Sequence, residues 1–215
     1  MSSKVMFIGR PKARQVFADM SIFRSYQNRF LMENGYQFHG DVIEIGGELG
    51  HQHSQYFPNA TSFTVSNIAR EFDVELDATD LPFRDGSQDA YVCASVLQHI
   101  PDPRRAIHEM HRTLRPGGDL LLIAPFLFPV CDVVDYERWT PQGLEQMLAD
   151  FEIRTTTHLG GRISAVVNLL QRPVGSRSRR YLVAKTFGAV IASALGPFDQ
   201  PDDSPIGVGI HATKR

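Results

Sequence analysis

The stretch VIEIGGELG, Val42 to Gly50, constrains this chain more than any other, because an apolar strand-like run passes directly into Gly46, Gly47 and Gly50. It reads as a buried strand with an acid, Glu44, near its end and a tight turn behind it. Glycines at such a turn let the backbone approach a ligand closely, and the helix start that follows offers free N–H groups to an anionic group. On its own the pattern is shared by several kinds of nucleotide-cofactor site and by plain tight turns.

The surroundings extend this strand into a sheet. Strand-like runs fall at Asp41–Ile45, Thr61–Val65, Asp73–Leu76, Asp89–Cys93, Asp119–Ala124, Glu152–Thr157 and Ile206–Thr213. Helical spacing lies at Arg104–Leu114, Pro141–Ala149, Ile163–Leu170 and Arg180–Leu195. An N-terminal helix is expected at about 11–34, with Val16, Met20, Phe23, Phe30 and Leu31 at helical spacing, Pro11 in the first turn and Gly35 at the stop. Strands alternating with helices predict an α/β fold, a mostly parallel sheet covered by helices on both faces. One connection resists the scheme: Ser66 to Phe72 is shorter than the roughly ten residues a helical crossover takes. RPVGSRSRR, Arg172 to Arg180, is the best candidate for a mobile loop.

At 215 residues and 42% hydrophobic content the chain suits one well-buried domain. Its 22 Lys plus Arg against 24 Asp plus Glu give no global positive field, so a nucleic-acid partner is not expected. Cys93 and Cys131 are too few for a disulfide framework, and the opening MSSKVMFIGR lacks a secretory signal, so a cytoplasmic location is expected. LVAKTFGAVIASALG, Leu182 to Gly196, contains Lys185 and falls short of the roughly 20 apolar residues of a membrane span. With SRSRR before it, this segment suits either a core-packed helix or peripheral contact with a membrane surface.

From Asp41 to Phe151 the chain resembles the class I S-adenosylmethionine-dependent methyltransferases, in the type 11-like branch. The resemblance rests on VIEIGGELG, DATDLPFRDGSQDAYVCASVLQHI and LRPGGDLLLIAPF, which follow one another in the family's order. It implies a Rossmann-like, mostly parallel seven-stranded sheet with the last strand antiparallel. It also implies one methyltransferase domain over 1–215, with a helical insertion at about 162–196 before that strand. The cofactor implied is S-adenosylmethionine. Glu44 would stand near the ammonium of the methionine moiety, where a carboxylate suits it, and Gly46, Gly47 and Gly50 would line the cofactor. Asp77 would accept from the adenine amino group with Ala78 beside it, and Ala94 and His99 would wall the methionine and sulfonium region.

Two positions depart from the family pattern. Glu48 stands where a middle glycine is usual, and the second strand ends in SNI rather than in an acid for the ribose hydroxyls. Asn67 is the nearest equivalent there, with Ser66 as the other candidate. Because an amide offers one uncharged acceptor, Asn67→Asp is expected from the sequence to tighten cofactor binding.

The stretch FLFPVCDVVDYERWTPQGL, Phe126 to Leu144, follows the fifth strand at the edge where open α/β sheets bind ligands. Its D-Y-x-R-W-T-P run resembles one branch of the family. Asp135 is the expected proton acceptor there, with His99 as a second catalytic candidate and Tyr136, Arg138 and Trp139 as acceptor contacts. The plainer reading is a loop that docks Tyr136 and Trp139 on the core and starts the next helix with Thr140 and Pro141.

His51 and His53 lie on different faces of an expected helix start and lack completing ligands, so no metal site is expected. The two cysteines look isolated, which argues against a Cys–His nucleophile. The activity so read is methyl transfer to a small-molecule acceptor, a sugar or natural-product intermediate by resemblance. Two alternatives stand beside it: a methyltransferase fold that has lost methyl transfer and serves as a binding partner or catalyses another reaction, and a nicotinamide-dinucleotide site at the glycine turn.

Overall fold

In the computed structural model the described residues are 5–7, 21–47, 53–68, 73–131, 134–170, 199 and 204–215. Among them, eight strands join in one sheet. In chain order these are β1 (Val5–Phe7), β2 (Gly40–Ile45), β3 (Ala60–Asn67), β4 (Val74–Glu75), β5 (Gln88–Ala94), β6 (Leu114–Pro125), β7 (Phe151–Leu159) and β8 (Gly207–Lys214). Four helices accompany them: α1 (Ile22–Gly35), α2 (Pro103–Thr113), α3 (Pro141–Met147) and α4 (Arg162–Leu170).

The sheet order is β1-β7-β8-β6-β5-β2-β3-β4. β8 runs antiparallel to both of its neighbours, β6 and β7, while the other pairs are parallel. Seven of these strands are the expected ones, the last inverted as expected. β1 is additional: VMF is too short to carry a period, and only its pairing with Thr156–His158 of β7 makes it a strand.

The short connection after β3 resolves simply. β4 pairs only at the tip of β3, Ser66 with Val74 and Asn67 with Glu75, so the chain need not return along the length of β3 before pairing. No crossover helix is required for so small a reversal.

Each face of the sheet carries its own core, as the two-residue period of a strand demands. Ile43 and Ile45 pack with Leu122, Met110 and Leu144 under α2 and α3. Val42 packs with Leu121, Ile123, Phe30 and Phe38 beneath α1. Glu44 has the parity of Val42 and so belongs to the α1 face.

Local chemistry explains the helix starts. The Ser21 hydroxyl accepts from the Arg24 N–H at 3.1 Å, and Asp102 accepts from Arg105 at 3.0 Å ahead of Pro103. Thr140 accepts from Gly143 at 3.1 Å ahead of Pro141, as read from the sequence. α1 begins at Ile22; the expected helical stretch 11–20 lies outside the described residues. The insertion is seen as α4 alone, its expected remainder through 196 and the loop 172–180 also lying outside them. Among the described residues no helix is long and apolar enough to cross a membrane.

Candidate functional site

The carboxyl ends of β2, β3, β5 and β6 meet at one edge, where open α/β sheets bind ligands. β2 delivers Glu44 and then Gly46 and Gly47; Gly50 and Glu48 lie outside the described residues. Gly46 has φ +67°, and a Cβ there would meet Val96 Cγ1 at 2.4 Å. A Cβ on Gly47 would meet Val65 Cγ1 at 2.1 Å. Both glycines are thus demanded by packing against neighbouring strand ends, whatever else they admit.

Glu44 is buried, with 2% of its surface exposed. Oε1 lies 2.6 Å from His53 Nδ1, whereas Oε2 is buried without a hydrogen-bond partner among the described residues. A carboxylate oxygen withdrawn from water without a partner is costly, and a cationic ligand group would satisfy it. This fits the ammonium end of a methionine moiety. Its negative charge also adds to burial in pushing the neighbouring Cys93 thiol up to about 12, which makes Cys93 an inert core residue.

Sequence reading missed the support behind Glu44. His53 is buried in the short 3-10 turn His53–Tyr56. Its Nε2 is 3.5 Å from Gln27 Nε2 of α1, and Gln27 Oε1 accepts from the Ser95 hydroxyl at 2.7 Å. Ser95, just past Ala94 at the end of β5, is the one non-glycine residue with positive φ among the described residues, +62°. Strain of this kind clusters at functional sites, but no sequence pattern reports it, and Gln27 and His53 are distant in the chain.

At the end of β3, Asn67 turns inward to the loop. Its Nδ2 donates to the Gly47 carbonyl at 2.8 Å, and the Ser66 hydroxyl donates to the Glu44 carbonyl at 2.7 Å. The residue standing in for the ribose acid is therefore a tie across the glycine turn. Asp77 is exposed, and its Oδ1 accepts from the Thr79 N–H at 2.8 Å and hydroxyl at 2.7 Å. That is an Asx-type turn, and it leaves one oxygen for a ligand. Ala78 is buried beside Leu76 and Leu81 in the core. Arg112 of α2 fixes the following loop, donating to the carbonyls of Leu81 and Phe83 at 3.0 and 2.9 Å.

The loop after β6 corrects several expectations. Asp135 and Arg138 form a two-pronged ion pair, and Asp135 Oδ2 also accepts from the Cys131 N–H at 2.8 Å. The Arg138 guanidinium holds the Asp135 carboxyl down at about 2, below the usual carboxylate range. Both oxygens are engaged and the basicity is low, so proton acceptance is the wrong role for Asp135: it shapes the loop. Trp139 is 6% exposed and packs in the core, which removes it from acceptor contact. Arg138 is committed to Asp135. Tyr136 alone of that trio is 54% exposed, its backbone N–H anchored on the Gln98 carbonyl at 2.8 Å. The docking reading thus holds for Trp139 and fails for Tyr136.

His99 faces this loop. Nδ1 donates to the Val134 carbonyl at 2.5 Å, which leaves Nε2 to accept from the Gln98 amide at 2.9 Å. Cys131 is not isolated as expected: its Sγ lies 3.9 Å from His99 Nε2. A cavity of about 550 Å³ lies elsewhere, between the end of α1 and the strands β6, β7 and β8, where Asp119, Arg154 and His211 line it. None of the expected site residues borders it.

With this geometry in place, the fold is defined as that of the class I S-adenosylmethionine-dependent methyltransferases, with one strand added at the edge of the sheet. Residues 52–122 match the family model described as "Methyltransferase domain". A curated relative, the ubiquinone/menaquinone biosynthesis C-methyltransferase UbiE of Brucella abortus (strain S19), is 33% identical over 115 residues. That match takes in 52% of this chain and 40% of the relative, so the chain spans less than half the length of the curated relatives it matches. The structure of geranyl diphosphate C-methyltransferase from Streptomyces coelicolor A3(2) superposes with a TM-score of 0.61 at 14% identity, covering 97% of this chain and 86% of that one. The structure titled "[4+2]-Cyclase SpnF" superposes at 0.58 and 19% identity, covering 90% and 82%.

Proposed function

We propose that this protein binds S-adenosylmethionine at the glycine turn and transfers its methyl group to a small-molecule acceptor. The observation that carries the reading is the buried, unpartnered Oε2 of Glu44 beside Gly47, an anionic atom without a cation among the described residues. Glu44 holds the ammonium, the turn of Gly46 and Gly47 lies under the methionine chain, and Asp77 offers its second oxygen to the adenine amino group. When bound, the cofactor supplies an electrophilic methyl group on its sulfonium sulfur.

What remains for the protein is positioning and exclusion of water. Asp135 is spent on Arg138, and His99 Nε2 already accepts from Gln98. The site therefore favours an acceptor that arrives nucleophilic, such as the carbon of an electron-rich phenol or enolate, over an unactivated sugar hydroxyl that needs a base. Two proteins to which the chain is similar are named as C-methyltransferases, which agrees with this preference.

A second reading keeps the fold and drops methyl transfer. Asn67 favours it, since its amide ties the loop and no acid occupies the ribose position at the end of β3; the likeness to a protein titled as a cyclase favours it too. Calorimetric titration with S-adenosylmethionine, S-adenosylhomocysteine and NAD separates the readings, followed by transfer of labelled methyl to a panel of phenols and sugars. Binding of neither adenosyl compound would remove the proposal, and binding without transfer to any acceptor would favour the second reading.

A further inference from the structure

Glu44 sits at the end of a chain of hydrogen bonds that all run one way. The Ser95 hydroxyl donates to Gln27 Oε1 at 2.7 Å. The nitrogen of the same amide faces His53 Nε2, 3.5 Å away. A ring nitrogen facing an N–H donor is the unprotonated one, so the proton of a neutral imidazole lies on Nδ1. Nδ1 then donates to Glu44 Oε1 at 2.6 Å. Among the described residues the carboxylate receives its one donor on Oε1, cannot rotate without losing it, and keeps Oε2 buried and without a partner.

We infer that Ser95, Gln27 and His53 form a directed relay that holds the Glu44 carboxylate oriented for the amine of the cofactor's amino-acid end, with Gln27 and His53 as positioning residues. This rests on the reading of Glu44 given under the proposed function and adds to it. α1, which precedes the segment matched by the family model, becomes part of the cofactor site through Gln27. The relay joins four separate pieces of chain: α1, the strand β2, the turn His53–Tyr56 and the residue after β5. It also gives a use to the strained φ of Ser95, since that conformation carries the hydroxyl to Gln27.

The relay serves only ligands that carry the amine, which provides the test. Dissociation constants are measured for S-adenosylhomocysteine and for 5′-methylthioadenosine, which has no amino-acid end. His53→Leu is expected to weaken S-adenosylhomocysteine about tenfold and to leave methylthioadenosine unchanged, the scale of one lost charge-assisted hydrogen bond. His53→Asn, which carries an amide N–H near the place of Nδ1, recovers most of the loss. Gln27→Leu gives a smaller loss with the same ligand selectivity, and in a Glu44→Gln background His53→Leu adds nothing. Equal weakening of both ligands, or no change in either, overturns the relay while the cofactor reading stands. Failure of the parent to bind either ligand removes both together.

Discussion

The side-chain amide of Asn67 donates to the carbonyl of Gly47 across 2.8 Å, lacing the end of β3 to the turn after β2. An aspartate there would set a carboxylate oxygen against a carbonyl oxygen, two acceptors with no proton between them. This reverses the sign expected from the sequence: Asn67→Asp should weaken S-adenosylhomocysteine binding, by roughly 1 to 2 kcal/mol for a lost hydrogen bond plus the repulsion. Titration calorimetry on parent and variant checks it, and tighter binding by the variant would restore the view that the position lacks only a charge.

Asp135 gives a prediction about stability and pH in place of one about proton transfer. Its carboxyl is lowered from 3.8 to about 2 by Arg138. A depressed carboxylate contributes stability that is present above the unfolded value and lost as pH falls through the folded one, so the window is about pH 4 to 2. Asp135→Asn removes that dependence. It should also cost about 3 kcal/mol, the lower end for removing one partner of a buried pair, because Arg138 keeps 22% of its side chain exposed. Denaturant melts at pH 7 and at pH 3 measure both effects.

Asp77 has two oxygens with different work, and a pair of variants separates them. Asp77→Asn keeps an acceptor for Thr79 while losing the charge, whereas Asp77→Ala loses both. If the second oxygen meets the adenine amino group, both variants weaken S-adenosylhomocysteine binding by roughly 1 kcal/mol or more, with only the alanine variant losing thermal stability as well. Unchanged affinity in Asp77→Asn would leave the residue its turn alone.

Gly46 tests how much of the turn's need for glycine lies in packing and how much in backbone conformation. Gly46→Ala puts a Cβ 2.4 Å from Val96 Cγ1 at a φ of +67°, and should destabilise the protein by roughly 2 kcal/mol or more. Val96→Ala in the same chain relieves the contact and not the φ, so stability returns in part. A thermal melt showing no rescue would place the whole cost in the backbone.

Much of this protein was legible in its sequence because the signals are local. A run such as VIEI can be satisfied only by burial in a sheet, and Thr140 followed by Pro141 starts a helix wherever it stands. The seven strands, the Thr140–Pro141 start of α3, and Glu44 at the end of β2 follow from such rules. Interactions between distant segments were decided in three dimensions. β1 is a strand because β7 offers it an edge. Asp135 is an ion-pair partner because Arg138 curls back onto it, and sequence spacing cannot tell that geometry from an open carboxylate. Trp139 is core because the loop folds inward beneath it. Gln27, His53 and Ser95 bear no motif, yet the sheet order β5-β2-β3 under α1 brings them to one carboxylate. Hydrogen bonding is short-ranged and directional, so the partner of a polar group is known only once the chain has been packed.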